Sequence, residues 1–254
     1  MFNPKITTFT VTLLAIGGCS ISLDRFFSPS EEGSADDVNW AYHGNTRYEE
    51  RYSLLSDINT DNVHKLGLAW YFDLPENRGQ EATPLIVDGV MYTTSAWNHV
   101  HALAADSGEV LWEFDPEVPK TSGAKGCCDA VTRGLAYSDG KLYQGTLDGS
   151  LIALEAASGG KIWEVTTVDT TYNYTITGAP RVARGKVYIG NGGAEYGVRG
   201  YISAYNAESG ELAWRFYTVP GTTSSAQGVE PGELMSTTWS ESDTNLEKGG
   251  TVWD

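Results

Sequence analysis

Cysteine is scarce, with three among 254 residues. That is too few for a small disulfide scaffold, and no Cys-x-x-Cys pair occurs. Histidine is nearly as rare, at four. His99 and His101 alternate as on a strand, His43 and His64 stand apart, and no His-x-x-x-His spacing appears. Zinc and covalently attached haem therefore have no local support. Basic charge is short: 17 Lys and Arg against 33 Asp and Glu give a net charge of −16. That balance argues against a nucleic-acid or anionic-membrane surface and favours simple solubility. No glycine-rich phosphate loop opens a helix, which argues against a nicotinamide cofactor. Past the first twenty residues, no apolar run approaches transmembrane length. The 29 glycines follow no collagen-like period and punctuate turns. What is present is 41% hydrophobic residues. That is ample for a packed core and excludes general disorder.

The chain begins with a leader. Lys5 precedes the apolar stretch Val11–Gly18, which ends in small residues. Residues 1–19 read as a secretory signal. Cys19 directly follows Ile16-Gly17-Gly18 and resembles the lipid-bearing cysteine of a bacterial lipoprotein signal; an ordinary signal peptide is the alternative. Residues 20–36, rich in Ser, Glu and Asp, read as a flexible tether, and residues 37–254 as the body. The expected location is the periplasm, with a possible lipid anchor at Cys19. In that oxidising compartment the adjacent Cys127 and Cys128 are candidates to bond to each other; two unpaired thiols are the other reading.

The body is repetitive. Ala102–Trp112, Ala153–Trp163 and Ala204–Trp214 share Ala at position one, Ser-Gly at six and seven, and Trp at eleven. The tryptophans recur every 51 residues, and Trp70 closes an earlier, less regular unit. Upstream of each motif, two apolar runs flank Asp88-Gly89, Asp139-Gly140 or Arg184-Gly185, a hairpin signal. Four short antiparallel strands per repeat of about forty to fifty residues describe a β-propeller blade. Each tryptophan is expected to wedge between blades, with its indole N–H on a backbone carbonyl. The fold class is all-β, a propeller with tryptophan-docking repeats.

These repeats resemble those of pyrroloquinoline quinone (PQQ) enzymes. Two classes carry them: quinoprotein alcohol dehydrogenases and non-enzymatic propellers, including an outer-membrane assembly lipoprotein. The segments between repeats favour the first. Gly126-Cys127-Cys128-Asp129, with Arg133 five residues beyond Cys128, resembles the family's vicinal disulfide against the PQQ ring. Gly190–Gly200 resembles the segment that binds the active-site Ca²⁺ through a glutamate, here Glu195, and contacts PQQ through small residues, here Gly193 and Ala194. Glycines allow close backbone approach, and a carboxylate among them suits a hard cation. Glu81 in Gly79–Leu85 and Thr177 in Thr175–Pro180 fall where the family contacts the cofactor's polar edge. Gly249-Gly-Thr251-Val-Trp253 resembles the segment whose threonine bonds to PQQ and whose indole floors it.

The resemblance covers about Asp37 to Asp254 and implies about half of an eight-bladed ring. It implies oxidation of primary alcohols to aldehydes in the periplasm, with PQQ, Ca²⁺ or a lanthanide ion, and a cytochrome c acceptor. No catalytic base is assigned, because the family's base and its asparagine metal ligand follow the Trp253 motif. These 254 residues alone are therefore expected to be inactive. The alternative is a propeller lipoprotein scaffold for outer-membrane protein assembly.

Overall fold

The computed structural model describes residues 39–126, 128–193 and 196–218. Within them lie three four-stranded antiparallel sheets, each a simple meander. The first holds β1 (Leu85–Val87), β2 (Val90–Thr94), β3 (Val100–Ala104) and β4 (Val110–Phe114). The second holds β5 (Ala136–Ser138), β6 (Lys141–Gly145), β7 (Ser150–Glu155) and β8 (Lys161–Thr166). The third holds β9 (Arg181–Ala183), β10 (Lys186–Gly190), β11 (Tyr201–Asn206) and β12 (Leu212–Tyr217). The expected all-β blades are present, one per 51-residue repeat.

The first hairpin of each blade turns on two left-handed residues. Asp88-Gly89 has φ of 50° and 79°, Asp139-Gly140 50° and 74°, and Arg184-Gly185 51° and 68°. Two positive φ values give a turn whose twist matches that of the paired strands. Turn chemistry thus sets the register, and the register sets one row of side chains across each blade. In blade 1, Tyr92 pairs with Ala102, and Ala102 with Trp112. Tyr143, Ala153 and Trp163 repeat the row, as do Tyr188, Ala204 and Trp214. The alanine is small, so the flanking rings close over it to centroid distances of 5.9, 5.9 and 6.0 Å.

Three tryptophans, two of them from these rows, join one repeat to the next. The Trp70 indole donates to Ala105 O at 3.1 Å, Trp112 to Ala156 O at 3.0 Å and Trp163 to Ala207 O at 3.0 Å. Each ring lies on the glycine of the next repeat. A Cβ on Gly108, Gly159 or Gly210 would fall 2.5, 2.5 or 2.8 Å from the indole. Those glycines also hold φ of 72–74°, so space and backbone conformation both require glycine. Trp70 docks in the same way although its own segment forms no strand.

Packing follows from stacking blades face to face. The third strands are mostly buried, as β7 is from Ser150 to Leu154, with Ile202 of β11 an exposed exception, whereas the outer strands β4 and β8 are largely exposed. Leu85, Val100, Leu142, Ile152 and Leu154 fill the space between blades 1 and 2. Tyr143, Leu151, Val187 and Tyr205 fill that between blades 2 and 3. No helix among the described residues is long and apolar enough to cross a membrane.

Candidate cofactor site at the blade entries

Each blade is entered by a short segment leading into its first strand, and these segments are laced together. Thr83 bridges to Gly134 in parallel, and the Arg133 N–H donates to Thr177 O at 2.8 Å. Consecutive entries therefore lie side by side at one end of the blades. This places three sequence-derived residues in contact. The Arg133 guanidinium donates to Thr177 Oγ1 at 2.6 Å and lies 3.2 Å from Glu81 Oε2. The Arg133 and Glu81 side chains are 49% and 39% exposed. An ion pair so solvated adds about 1 kcal/mol at most, so its role is not to hold the blades together. It presents an oriented cation with free donors at the rim, suited to a carboxylate.

The cysteine loop approaches from between blades 1 and 2. The Cys128 sulfur is disulfide-bonded, with its partner outside the described residues. Asp129 follows at φ 84°, and its carboxylate accepts from its neighbour's Ala130 N–H at 2.8 Å and from Arg78. The Ala130 N–H first, and the Arg78 side chain next, hold the Asp129 carboxyl below the usual carboxylate range. Arg78 and Lys120 both lie over the Trp97 ring, at 5.3 and 4.2 Å from its centroid. Trp97 is buried against Ala96, Val118, Ala130 and Leu147.

The glycine-rich loop of blade 3 enters through backbone. Gly192 bridges to Thr175, two residues before Thr177. Gly193 has φ of 109°, and a Cβ there would lie 2.7 Å from Asn173 O. Only glycine fits, because the Asn173 carbonyl and the Val198 side chain occupy the space. Tyr196 Oη donates to Gly126 O at 3.4 Å, tying this loop to the cysteine loop. Cys127, Ala194, Glu195, Thr251 and Trp253 lie outside the described residues, as do Cys19, the leader and the tether. Among the described residues no group of three or more His, Cys, Asp or Glu could hold a metal ion. A separate cavity of about 290 Å³ between the Ala41–Glu49 segment and strands β5 and β9 includes none of the expected site residues.

Arg78 and Tyr196 were not legible as site residues. Arg78 stands three residues before Glu81, but its partner Asp129 is 51 positions away, and no local pattern joins them.

The PQQ family described as "Glucose/ethanol/alcohol dehydrogenase, beta-propeller domain" matches residues 40–253. The chain belongs to this family. It is 55% identical over 218 residues to the quinohemoprotein alcohol dehydrogenase ADH IIB of Pseudomonas putida, covering 85% of this chain and 31% of that one. It is 48% identical over 216 residues to the 1-butanol dehydrogenase (cytochrome c) of Thauera butanivorans, covering 85% and 29%. The crystal structure of the quinohemoprotein alcohol dehydrogenase from Comamonas testosteroni superposes with a TM-score of 0.78 at 49% identity, covering 84% of this chain and 32% of that one. The chain thus spans about a third of the length of these PQQ-family relatives. Its three described blades are a partial propeller of this family.

Proposed function

We propose that this chain supplies the first blades, and one side of the PQQ site, of a periplasmic alcohol dehydrogenase that oxidises primary alcohols and passes electrons to a cytochrome c. The observation that carries the reading is the Arg133 guanidinium held between Thr177 Oγ1 and Glu81. The donor set fits the group. PQQ is a planar tricarboxylate, and an oriented, half-exposed guanidinium beside a hydroxyl matches a carboxylate edge.

When bound, PQQ supplies a two-electron acceptor for the alcohol's hydride. Arg133 and Thr177 hold its carboxylate edge, and Glu81 keeps the guanidinium from swinging away. As the family resemblance implies, the disulfide at Cys128, which we pair with Cys127, and Trp253 would hold the ring from its two faces, and Thr251 would bond to it. Gly193 and Ala194 leave room for the ring. Glu195 would supply an oxygen ligand to Ca²⁺ or a lanthanide ion. The base follows the Trp253 motif in the family, so these 254 residues alone turn over no alcohol. Residues 1–19 direct export, 20–36 form a tether, and 37–254 form the propeller part.

A chimera tests this reading. Residues 1–254, followed by the remaining blades of the Pseudomonas putida relative, should oxidise ethanol with added PQQ, and Arg133→Ala should reduce PQQ affinity about tenfold. A folded chimera that takes up no PQQ would refute the assignment.

A further inference from the structure

Blade 1 carries a buried polar chain that the site does not use directly. His101 Nδ1 lies 2.8 Å from Glu113 Oε1, and His101 Nε2 lies 2.8 Å from Ser95 Oγ. Glu113 as a carboxylate only accepts, so Nδ1 carries the proton and Nε2 accepts from the Ser95 hydroxyl. The order is that of an acid–histidine–serine relay. Ser95 and His101 are each 1% exposed, so no substrate reaches the hydroxyl and acyl transfer is excluded. Burial lowers the His101 pKa, in keeping with a neutral ring.

Among the three described blades this polar chain occurs in blade 1 alone. One repeat on, His101 is replaced by Ile152 and Ser95 by Thr146, whose hydroxyl turns to Asp148 Oδ1 at 2.5 Å. Two repeats on, the place of His101 is taken by Ser203, which accepts from Arg215 Nε at 2.8 Å. The turn that Ser95 opens is peculiar too. Trp97 and Asn98 are consecutive left-handed residues, at φ 63° and 67°, whereas the second repeat has only Gly149 so placed. Two such residues are unfavourable and persist only where the surroundings hold them.

Both arms of the candidate site hang on this turn. Gln80, next to Glu81, donates its side-chain amide to Thr94 O, the residue before Ser95. Trp97 N–H donates to Ala130 O at 3.1 Å, two residues after Cys128. Asn98 fastens the turn to blade 2, donating to Gly145 O at 3.1 Å and accepting from Leu147 N–H at 2.9 Å. The geometry points to Ser95, His101 and Glu113 as positioning residues that lock this turn and so hold the Glu81 segment and the Cys128 loop in place for the cofactor. The assignment rests on the proposed PQQ site for its consequence, but not for its local effect.

The test uses the full 254-residue chain with two readouts. His101→Phe keeps a ring beside Phe72 and removes both bonds, and Ser95→Ala removes one with little change of volume. The Trp97 amide should exchange its hydrogen about tenfold faster in either variant, while amides of β9–β12 keep their protection. Glu113→Gln retains an acceptor oxygen and should stay within about twofold. PQQ affinity should fall about tenfold in the first two variants. Unchanged exchange at Trp97, or a loss spread evenly over all three blades, would overturn the positioning role. So would faster exchange with unchanged PQQ affinity. If the unaltered chain binds no PQQ, the cofactor reading fails while the exchange result still reports on the lock. Should His101→Phe fail to fold, Ser95→Ala decides.

Discussion

Gly159 and Gly140 have nearly the same backbone conformation, φ of 72° and 74°, and very different surroundings. A Cβ on Gly159 meets the Trp112 ring at 2.5 Å, whereas one on Gly140 meets nothing within 4 Å. Gly140→Ala should therefore cost only the left-handed penalty, about 1–2 kcal/mol. Gly159→Ala adds displacement of a docked indole and should cost about 3–4 kcal/mol in all. Urea unfolding of the two variants checks the difference. His101 gives a second residue-level expectation. Its imidazole faces Glu113, Ser95, Phe72 and, electrostatically, His99, and burial outweighs the Glu113 interaction in lowering its pKa. The unfolded chain then takes up the proton first. The His101 contribution is present above about pH 6.5 and declines as pH falls below it. The urea midpoint should drop more between pH 7.5 and 5.5 in the natural chain than in His101→Phe. An equal drop in both would remove His101 as the cause.

At the scale of elements, one device is repeated: an indole donated across a blade boundary to the alanine carbonyl before a Ser-Gly turn. Trp112→Phe keeps most of the packing and deletes that bond. The loss should be about 1 kcal/mol, because Ala156 O still accepts from Tyr92 Oη at 3.2 Å. Trp214 makes no indole N–H bond among the described residues and is 43% exposed, so Trp214→Phe should change stability by less than about 0.5 kcal/mol. Thermal melts of the pair check this. The device is legible in the sequence because each repeat carries an acceptor alanine, a Ser-Gly turn and a donor tryptophan within eleven residues, and the repeats recur at a fixed step, although each bond reaches into the next repeat. The hairpins are legible because left-handed Asp-Gly and Arg-Gly turns act locally. The site is only partly so. Glu81, Arg133 and Thr177 come together because each occupies an equivalent entry, which the repeat makes readable. Arg78 and Asp129 lie one repeat step of 51 residues apart, and His101 and Glu113 hold an ordinary cross-strand register, but neither pairing of residue types recurs in the other repeats. Nothing local marks them.

At the scale of the whole molecule, the described residues present exposed apolar side chains. Between Tyr48 and Tyr71 the side chains of Tyr52, Leu54, Leu55, Ile58, Leu66 and Leu68 are all more than half exposed. Patches of that kind ordinarily meet another surface. Self-association is opposed by the net charge of −16. Raising salt should screen that repulsion and increase the apparent mass in sedimentation runs, and a salt-independent monomer would count against the exposed strip as a sticky surface. The partial ring also carries the cofactor claim, since three successive blade entries converge on one guanidinium. The most direct test is titration of PQQ into the purified 254-residue chain beside its Arg133→Ala variant. The account predicts saturable binding by the natural chain, weakened about tenfold in the variant. Absence of saturable binding, or equal affinity in the two, would contradict it.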